Sequence, residues 1–209
     1  MSDSNNYLYD TKVCILDSIN PDSIARLVGD LTDLVMRLPV QKSCPIAAPT
    51  VNPYVLDNLP KTPRIIDVII NSPGGNIYCL STILHLLGIA KSKGAIIRTT
   101  ATGLAGSSAS MLAVQGTPGF RIMHENAVHM VHWGTWNWKF TQESEVDKIA
   151  AYMKKSRTAL QSIYLKHTNI PPQRLKQLMR DEGGYLMPDE CLKLGMCDWI
   201  LKTNGEFVR

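Results

Sequence analysis

The chain alternates short, almost wholly apolar runs with longer stretches in which apolar residues recur every three or four positions. Val13-Cys14-Ile15-Leu16 reads as a short strand. Asn20-Pro21-Asp22-Ser23 supplies a capping residue and then proline in the first turn of a helix. Ile24, Leu27, Val28, Leu31, Leu34 and Val35 follow at helical spacing, which predicts a helix ending near Arg37. Residues 1–9 read as a flexible arm. Residues 38–63 carry six prolines among small and polar residues and read as a long loop insertion. Ile65 to Ile70 is nearly all apolar and β-branched, the pattern of a strand buried on both faces of a parallel sheet.

The second half continues in the same manner. The glycine pair at 74–75 opens a helix through about Lys91, with Ile77, Leu80, Ile83, Leu84 and Leu87 on one side. Ala95 to Ala101 is a strand, Ser107 to Val114 a helix, and Arg121–Met123 and Ala127–Val131 are further strands. Thr141 is placed to cap a long helix over 142–167. Short helices follow from Arg174 to Arg180 and from Pro188 to Leu194. Strand and helix in alternation predict an α/β domain with right-handed crossovers. The length of 209 residues suits a single domain over 1–209 with a sizeable core.

Composition narrows the function classes. The chain is 44% hydrophobic and 19% charged, and no run approaches the roughly 20 apolar residues of a membrane span. The polar start Met1-Ser2-Asp3-Ser4-Asn5-Asn6 has no signal-peptide pattern, so a cytoplasmic protein is expected. The net charge of +4 is spread thinly, which argues against a nucleic-acid surface. The five cysteines form no C-x-x-C pair and the histidines lack metal-ligand spacing; buried free thiols are expected, with no metal and no cofactor.

Three stretches carry chemistry. Asn71-Ser72-Pro73-Gly74-Gly75 ends an apolar strand with a turn that only glycine backbones make easily, and such a turn leaves N–H groups free. Gly103-Leu104-Ala105-Gly106-Ser107-Ser108-Ala109-Ser110 is a small-residue elbow with serines at a helix start, where free N–H groups favour developing negative charge. Met130-Val131-His132 ends a second apolar strand with a group that accepts a proton near neutral pH. The residues themselves leave the nucleophile open among Ser107, Ser108 and Ser110, and they offer Asp181 and Glu182 as acids.

With these stretches in order, the chain resembles the proteolytic subunit of Clp protease and its phage-encoded relatives, within the ClpP/crotonase fold of repeated β-β-α units with a protruding handle helix. The resemblance covers 13–37 and 65–201 and rests on Ile70 to Gly75, Gly103 to Ser107, Met130 to His132 and Gly195-Met196-Cys197-Asp198. It implies Ser107 as nucleophile, since the 25 positions to His132 match the family without a gap, whereas Ser110 needs a deletion. It implies His132 as base, Asp181 as acid with Glu182 as the alternative, and the backbone N–H groups of Gly75 and Ser108 as oxyanion hole. The family usually has methionine where this chain has Ser108. The 38–63 stretch is longer than the family's connection there.

The same resemblance implies a self-compartmentalising serine endopeptidase acting on unfolded polypeptides. It further implies homo-oligomeric rings, heptameric or stacked as double rings, packed through the 142–167 handle. An AAA+ unfoldase of the ClpX or ClpA type would bind the ATP, and the chain itself has no P-loop. The alternatives within the fold are an inactive ring subunit, a phage head-maturation protease and an acyl-CoA enzyme of the crotonase type.

Overall fold

The structure of the protein, a computed structural model, describes residues 6–39, 65–134, 145–180 and 183–209. The Pro-rich insertion lies almost wholly outside these residues. Strand β1 (Asn6–Tyr9) pairs antiparallel with β2 (Lys12–Ile15). Then follow α1 (Pro21–Arg37), β3 (Ile65–Ser72), α2 (Ile77–Ser92), β4 (Ile96–Gly106) and α3 (Ser108–Ala113). The rest of the chain supplies β5 (Arg121–His124), β6 (Val128–Val131), α4 (Val146–His167), α5 (Pro172–Leu178), β7 (Gly184–Leu186), α6 (Pro188–Lys193), β8 (Trp199–Leu201) and β9 (Phe207–Val208). The architecture is mixed α/β with a mostly parallel sheet, as the resemblance leads one to expect.

Along the sheet the order is β1-β2-β3-β4-β5-β8-β9, parallel from β2 to β8 and antiparallel at both ends. The long strand β4 forks it. Thr99–Ala101 pair with β5, whereas Leu104–Gly106 pair with β6, and β7 adds to β6 antiparallel. The Gly103–Gly106 stretch, which reads as an elbow, is therefore still strand. Its small residues let two strands approach, and the sharp turn is confined to Ser107.

Two expectations are corrected by packing. Residues 6–9 are not a free arm but an edge strand. The Asn6 side chain is buried and accepts from the N–H groups of Leu16 and Asp17 at 3.0 Å, which fastens the start of the described chain to the loop before α1. Strand β3 is parallel to both neighbours, yet only one of its faces is fully buried. Ile66, Val68 and Ile70 join Leu27, Leu31, Leu80, Ile83 and Ala109 in the core, while Ile65, Asp67 and Ile69 are half-buried. Helices α1 to α3 cover the first face. The second carries a charged pair across β3 and β4, in which Arg98 donates from Nη2 to Asp67 Oδ2 at 2.9 Å.

The helix caps follow the sequence. Asn20 accepts from the Ser23 N–H at 2.9 Å, and Ser23 Oγ accepts from the Asn20 N–H at 3.0 Å, which starts α1 as the Asn-Pro signal predicts. The long helix α4 begins at Val146; positions 142–144 of the expected handle lie outside the described residues. Only Leu160 and Tyr164 of α4 are buried, so the helix stands against the domain by its C-terminal half. Cys14, Cys191 and Cys197 are buried free thiols and Cys79 is half-buried. Burial pushes the Cys197 thiol up to about 12.

The far end of the sheet is closed by one ion pair. Arg121 on β5 donates to Asp198 from Nη2 at 2.6 Å and from Nε at 2.9 Å, and from Nη1 to the carbonyls of His167 and Gly195. Asp198 Oδ2 also accepts from the N–H groups of Gly119 and Arg121. Asp198→Ala leaves a nearly buried guanidinium without its partner and is expected to cost about 3–5 kcal/mol in urea unfolding. The pair Arg121→Met with Asp198→Leu should cost distinctly less, because no charge is stranded.

Candidate active site

The Asn71–Gly75 segment is a scaffold in which every residue is used. Asn71 Oδ1 accepts from the Leu104 N–H at 2.9 Å, tying the end of β3 to β4. A side chain at Gly103 would meet that amide, with a Cβ 2.9 Å from Asn71 Cγ. Ser72 Oγ donates to the Asp17 carbonyl at 2.6 Å and accepts from the Gly74 N–H at 3.0 Å. The Ile19 N–H donates to the Gly74 carbonyl at 2.8 Å, and Asn76 returns its N–H to the Ile19 carbonyl at 2.6 Å. Ile19 thus holds the glycine turn from the far side, a role no local sequence signal announces.

Gly74 and Gly75 take φ of 92° and 149°, which glycine accepts readily. Space is equally decisive. A Cβ on Gly74 would lie 2.8 Å from Ser108 N and 2.9 Å from Ser107 Cβ, and one on Gly75 would lie 2.9 Å from Ile19 N. The glycine turn therefore presses directly on the elbow of α3. Among the described residues no hydrogen-bond partner takes the N–H of Gly75 or of Ser108.

Ser107 sits at that elbow with φ 53° and ψ −119°, one of two non-glycine residues with positive φ among the described residues. Such strain persists only where surroundings over-determine it. Here the Ser107 N–H is held by the Met130 carbonyl at 2.7 Å. The turn aims the side chain at His132, whose Nε2 stands 2.7 Å from Ser107 Oγ. Both residues are half-buried and remain open to the cleft. Burial lowers the His132 pKa from its ordinary value, which keeps the imidazole neutral and able to accept a proton.

The cleft beside this pair has a volume of about 560 Å³ and an apolar lining from Ile77, Met111, Met130, Trp133 and Leu160. Tyr78 of α2, also on the cleft, is hydrogen-bonded through its hydroxyl to Tyr152 of α4. Arg157 stacks its guanidinium 5.6 Å from the Trp133 ring centroid, so α4 also braces the residue after His132. Ser108 is buried, and among the described residues its hydroxyl has no hydrogen-bond partner. That orphan hydroxyl stands in the position where the resemblance leads one to expect methionine.

Asp181 and Glu182, the expected acids, lie outside the described residues. Their neighbours on both sides lie beside His132 and Trp133. The Trp133 N–H donates to the Met179 carbonyl at 3.2 Å, and a Cβ on Gly183 would lie 3.1 Å from His132 Cβ. Ser110, the other candidate nucleophile, is fully buried, with its Oγ 2.9 Å from His129 Nδ1. Burial pushes the His129 pKa down to about 4, so this imidazole is neutral. The functional reading of the sequence passed over His129. Its signal lies in the numbering: Ser110 and His129 are each three residues inside Ser107 and His132.

The glycine contacts yield a direct test. Gly74→Ala is expected to abolish modification of Ser107 by a fluorophosphonate probe, because the methyl has no room against the elbow. Gly29→Ala, within α1 and with nothing within 4 Å of the added carbon, should leave labelling intact and raise stability by about 0.5–1 kcal/mol. Labelling gels and thermal unfolding of the two variants check both.

A family model described as Clp protease matches residues 41–204. The ATP-dependent Clp protease proteolytic subunit of Deinococcus radiodurans is 32% identical over 142 residues, covering 68% of this chain and 67% of the relative. Proteolytic subunit 4 of Streptomyces avermitilis is 30% identical over 142 residues, 68% of this chain, but the match spans only 61% of the relative, less than two thirds of its length. The proteolytic subunit of Lactococcus lactis is 28% identical over 141 residues, covering 65% of this chain and 67% of the relative. With its β3–glycine turn, its elbow and its α/β frame, the chain belongs to the Clp protease family.

Proposed function

We propose that the protein is a serine endopeptidase that cleaves unfolded polypeptides with Ser107 as nucleophile and His132 as base. The observation that carries this reading is the 2.7 Å contact between Ser107 Oγ and His132 Nε2 at a strained elbow, beside the unpartnered N–H groups of Gly75 and Ser108. Membership of a peptidase family supports it.

In the proposed reaction His132 Nε2 takes the Ser107 hydroxyl proton as Oγ attacks the peptide carbonyl. The N–H groups of Gly75 and Ser108 receive the negative charge on the carbonyl oxygen; one such donor is typically worth about 3–4 kcal/mol. His132 then gives its proton to the leaving amine. Water, deprotonated by the same imidazole, releases the acyl group from Ser107. Asp181 is proposed as the carboxylate that orients His132 and stabilises the imidazolium, with Glu182 as the alternative acid. The adjacent positions of Met179 and Gly183 against the His132 strand end support an acid from this stretch.

Self-assembly into rings, heptameric or doubled, with substrate delivered by an AAA+ ATPase of the ClpX or ClpA type, is part of the same proposal. Its supports are the names of the relatives, which are proteolytic subunits of ATP-dependent proteases, and a helix α4 with no fully buried residue in its N-terminal half. A cytoplasmic location is also proposed. Among the described residues no helix is long and apolar enough to cross a membrane.

A fluorophosphonate probe should label the wild type at Ser107, and Ser107→Ala should lose both the label and peptide turnover. Label found on another serine, or turnover surviving Ser107→Ala, would contradict the assignment. The acid is tested by pH. Burial alone places the His132 midpoint below 6.5, whereas a carboxylate at Nδ1 raises it. Asp181→Asn should therefore lower kcat/KM by on the order of 10³- to 10⁴-fold and move the acid limb of the pH–rate profile to lower pH. If Glu182→Gln produces that shift instead, Glu182 is the acid.

A further inference from the structure

We propose that the buried Ser110–His129 pair is a positioning device for the Ser107–His132 pair, locking α3 against β6 so that nucleophile and base stay in register. The inference rests on the catalytic reading above and assigns to this second pair no contact with substrate.

The two serine–histidine pairs are related by a simple geometry. Ser110 lies three positions after Ser107, the N-cap of α3, and His129 lies three positions before His132, which directly follows β6. The contacts are 2.7 Å at the cleft and 2.9 Å in the interior. Helix and strand are thus lashed at two points, one open to the cleft and one sealed from it, since Ser110 and His129 are 0% and 1% exposed.

Helix α3 has only six residues and starts from a strained serine, so its placement depends on outside anchors. Its start is held by the Ser107 N–H on the Met130 carbonyl, and its end by Thr99 Oγ1 donating to the Ala113 carbonyl at 2.8 Å. Ser110 is the side-chain anchor between them, and it reaches the strand that carries the base. Around it the layer is apolar: Ala109, Met111, Val131 and Leu186 are all buried. Apolar contacts tolerate sliding, whereas a hydrogen bond in such surroundings is directional and strong. Tyr164 of α4 turns its buried hydroxyl towards Ser110 without reaching hydrogen-bond geometry. His129, neutral and flanked by β4 and β7, serves as a fixed partner and not as a titrating one.

The test compares wild type, Ser110→Ala, His129→Leu, His129→Asn and the double variant Ser110→Ala with His129→Leu. The readouts are the rate of fluorophosphonate labelling of Ser107, kcat and KM on a fluorogenic peptide, and thermal unfolding. The single apolar variants strand a buried polar group and lose stability. The double variant strands none and keeps the fold. In it labelling and kcat should fall roughly tenfold to a hundredfold, with KM within about twofold. His129→Asn, whose amide takes the place of Nδ1, should recover most of the rate. Wild-type labelling and kcat in the double variant, or equal losses in His129→Asn and His129→Leu, would overturn the proposal while leaving the catalytic reading intact. A wild type that is not labelled at Ser107 would overturn both.

Discussion

The site depends on a contact that has no side chain in it. Gly74 lies so close to the start of α3 that even a methyl group would run into Ser107 and Ser108. That approach joins the end of β3 to the end of β4 at the point where the chain must turn from strand to helix. Among the described residues the N–H groups of Gly75 and Ser108 there have no partner, and Ser107 takes positive φ at the same turn. Ile19, Ser72 and Asn71 then hold the glycine turn in place with five hydrogen bonds, all of which a longer or bulkier turn would break.

The forked strand β4 explains why this geometry is stable. Its first half pairs with β5 and belongs to the main sheet; its second half pairs with β6 and carries the base strand away from that sheet. Ser107 and His132 therefore arise at the ends of adjacent strands of one small layer, and their separation is set by backbone pairing. The Ser110–His129 contact adds a side-chain constraint to the same two elements. At the other end, the Arg121–Asp198 pair closes the sheet and holds the last turn of α4, whose Leu160 borders the cleft.

Much of this was legible in the sequence, for identifiable reasons. The helices α1, α2, α5 and α6 carry local start signals in Asn, Pro and Gly, and their apolar spacing is regular. The Ser–Gly-rich elbow and the strand-end histidine were legible because their spacing is tied to a single register, and the structure brings Ser107 and His132 together. Burial of β3 was misjudged because β-branched residues look alike whether a face meets helices or a charged pair such as Asp67–Arg98. The elbow was read as too long because small residues serve strand pairing and turns equally well. Residues 6–9 looked free because the burial of Asn6 depends on a loop ten residues later. Ile19 was invisible as a support for the site, since it acts only through its backbone. Ser108 departs from the family's usual methionine in the sequence itself, but the burial of its hydroxyl with no partner among the described residues follows from packing alone.

The central claim is that the glycine turn and the elbow together form a cradle for a tetrahedral intermediate on Ser107. A crystal structure of the protein with a peptide boronate tests it most directly. The account predicts boron bonded to Ser107 Oγ and one boronate oxygen about 2.7–3.1 Å from both the Gly75 and Ser108 nitrogens. An adduct on another residue, or a boronate whose oxygens turn to solvent away from both N–H groups, would contradict it.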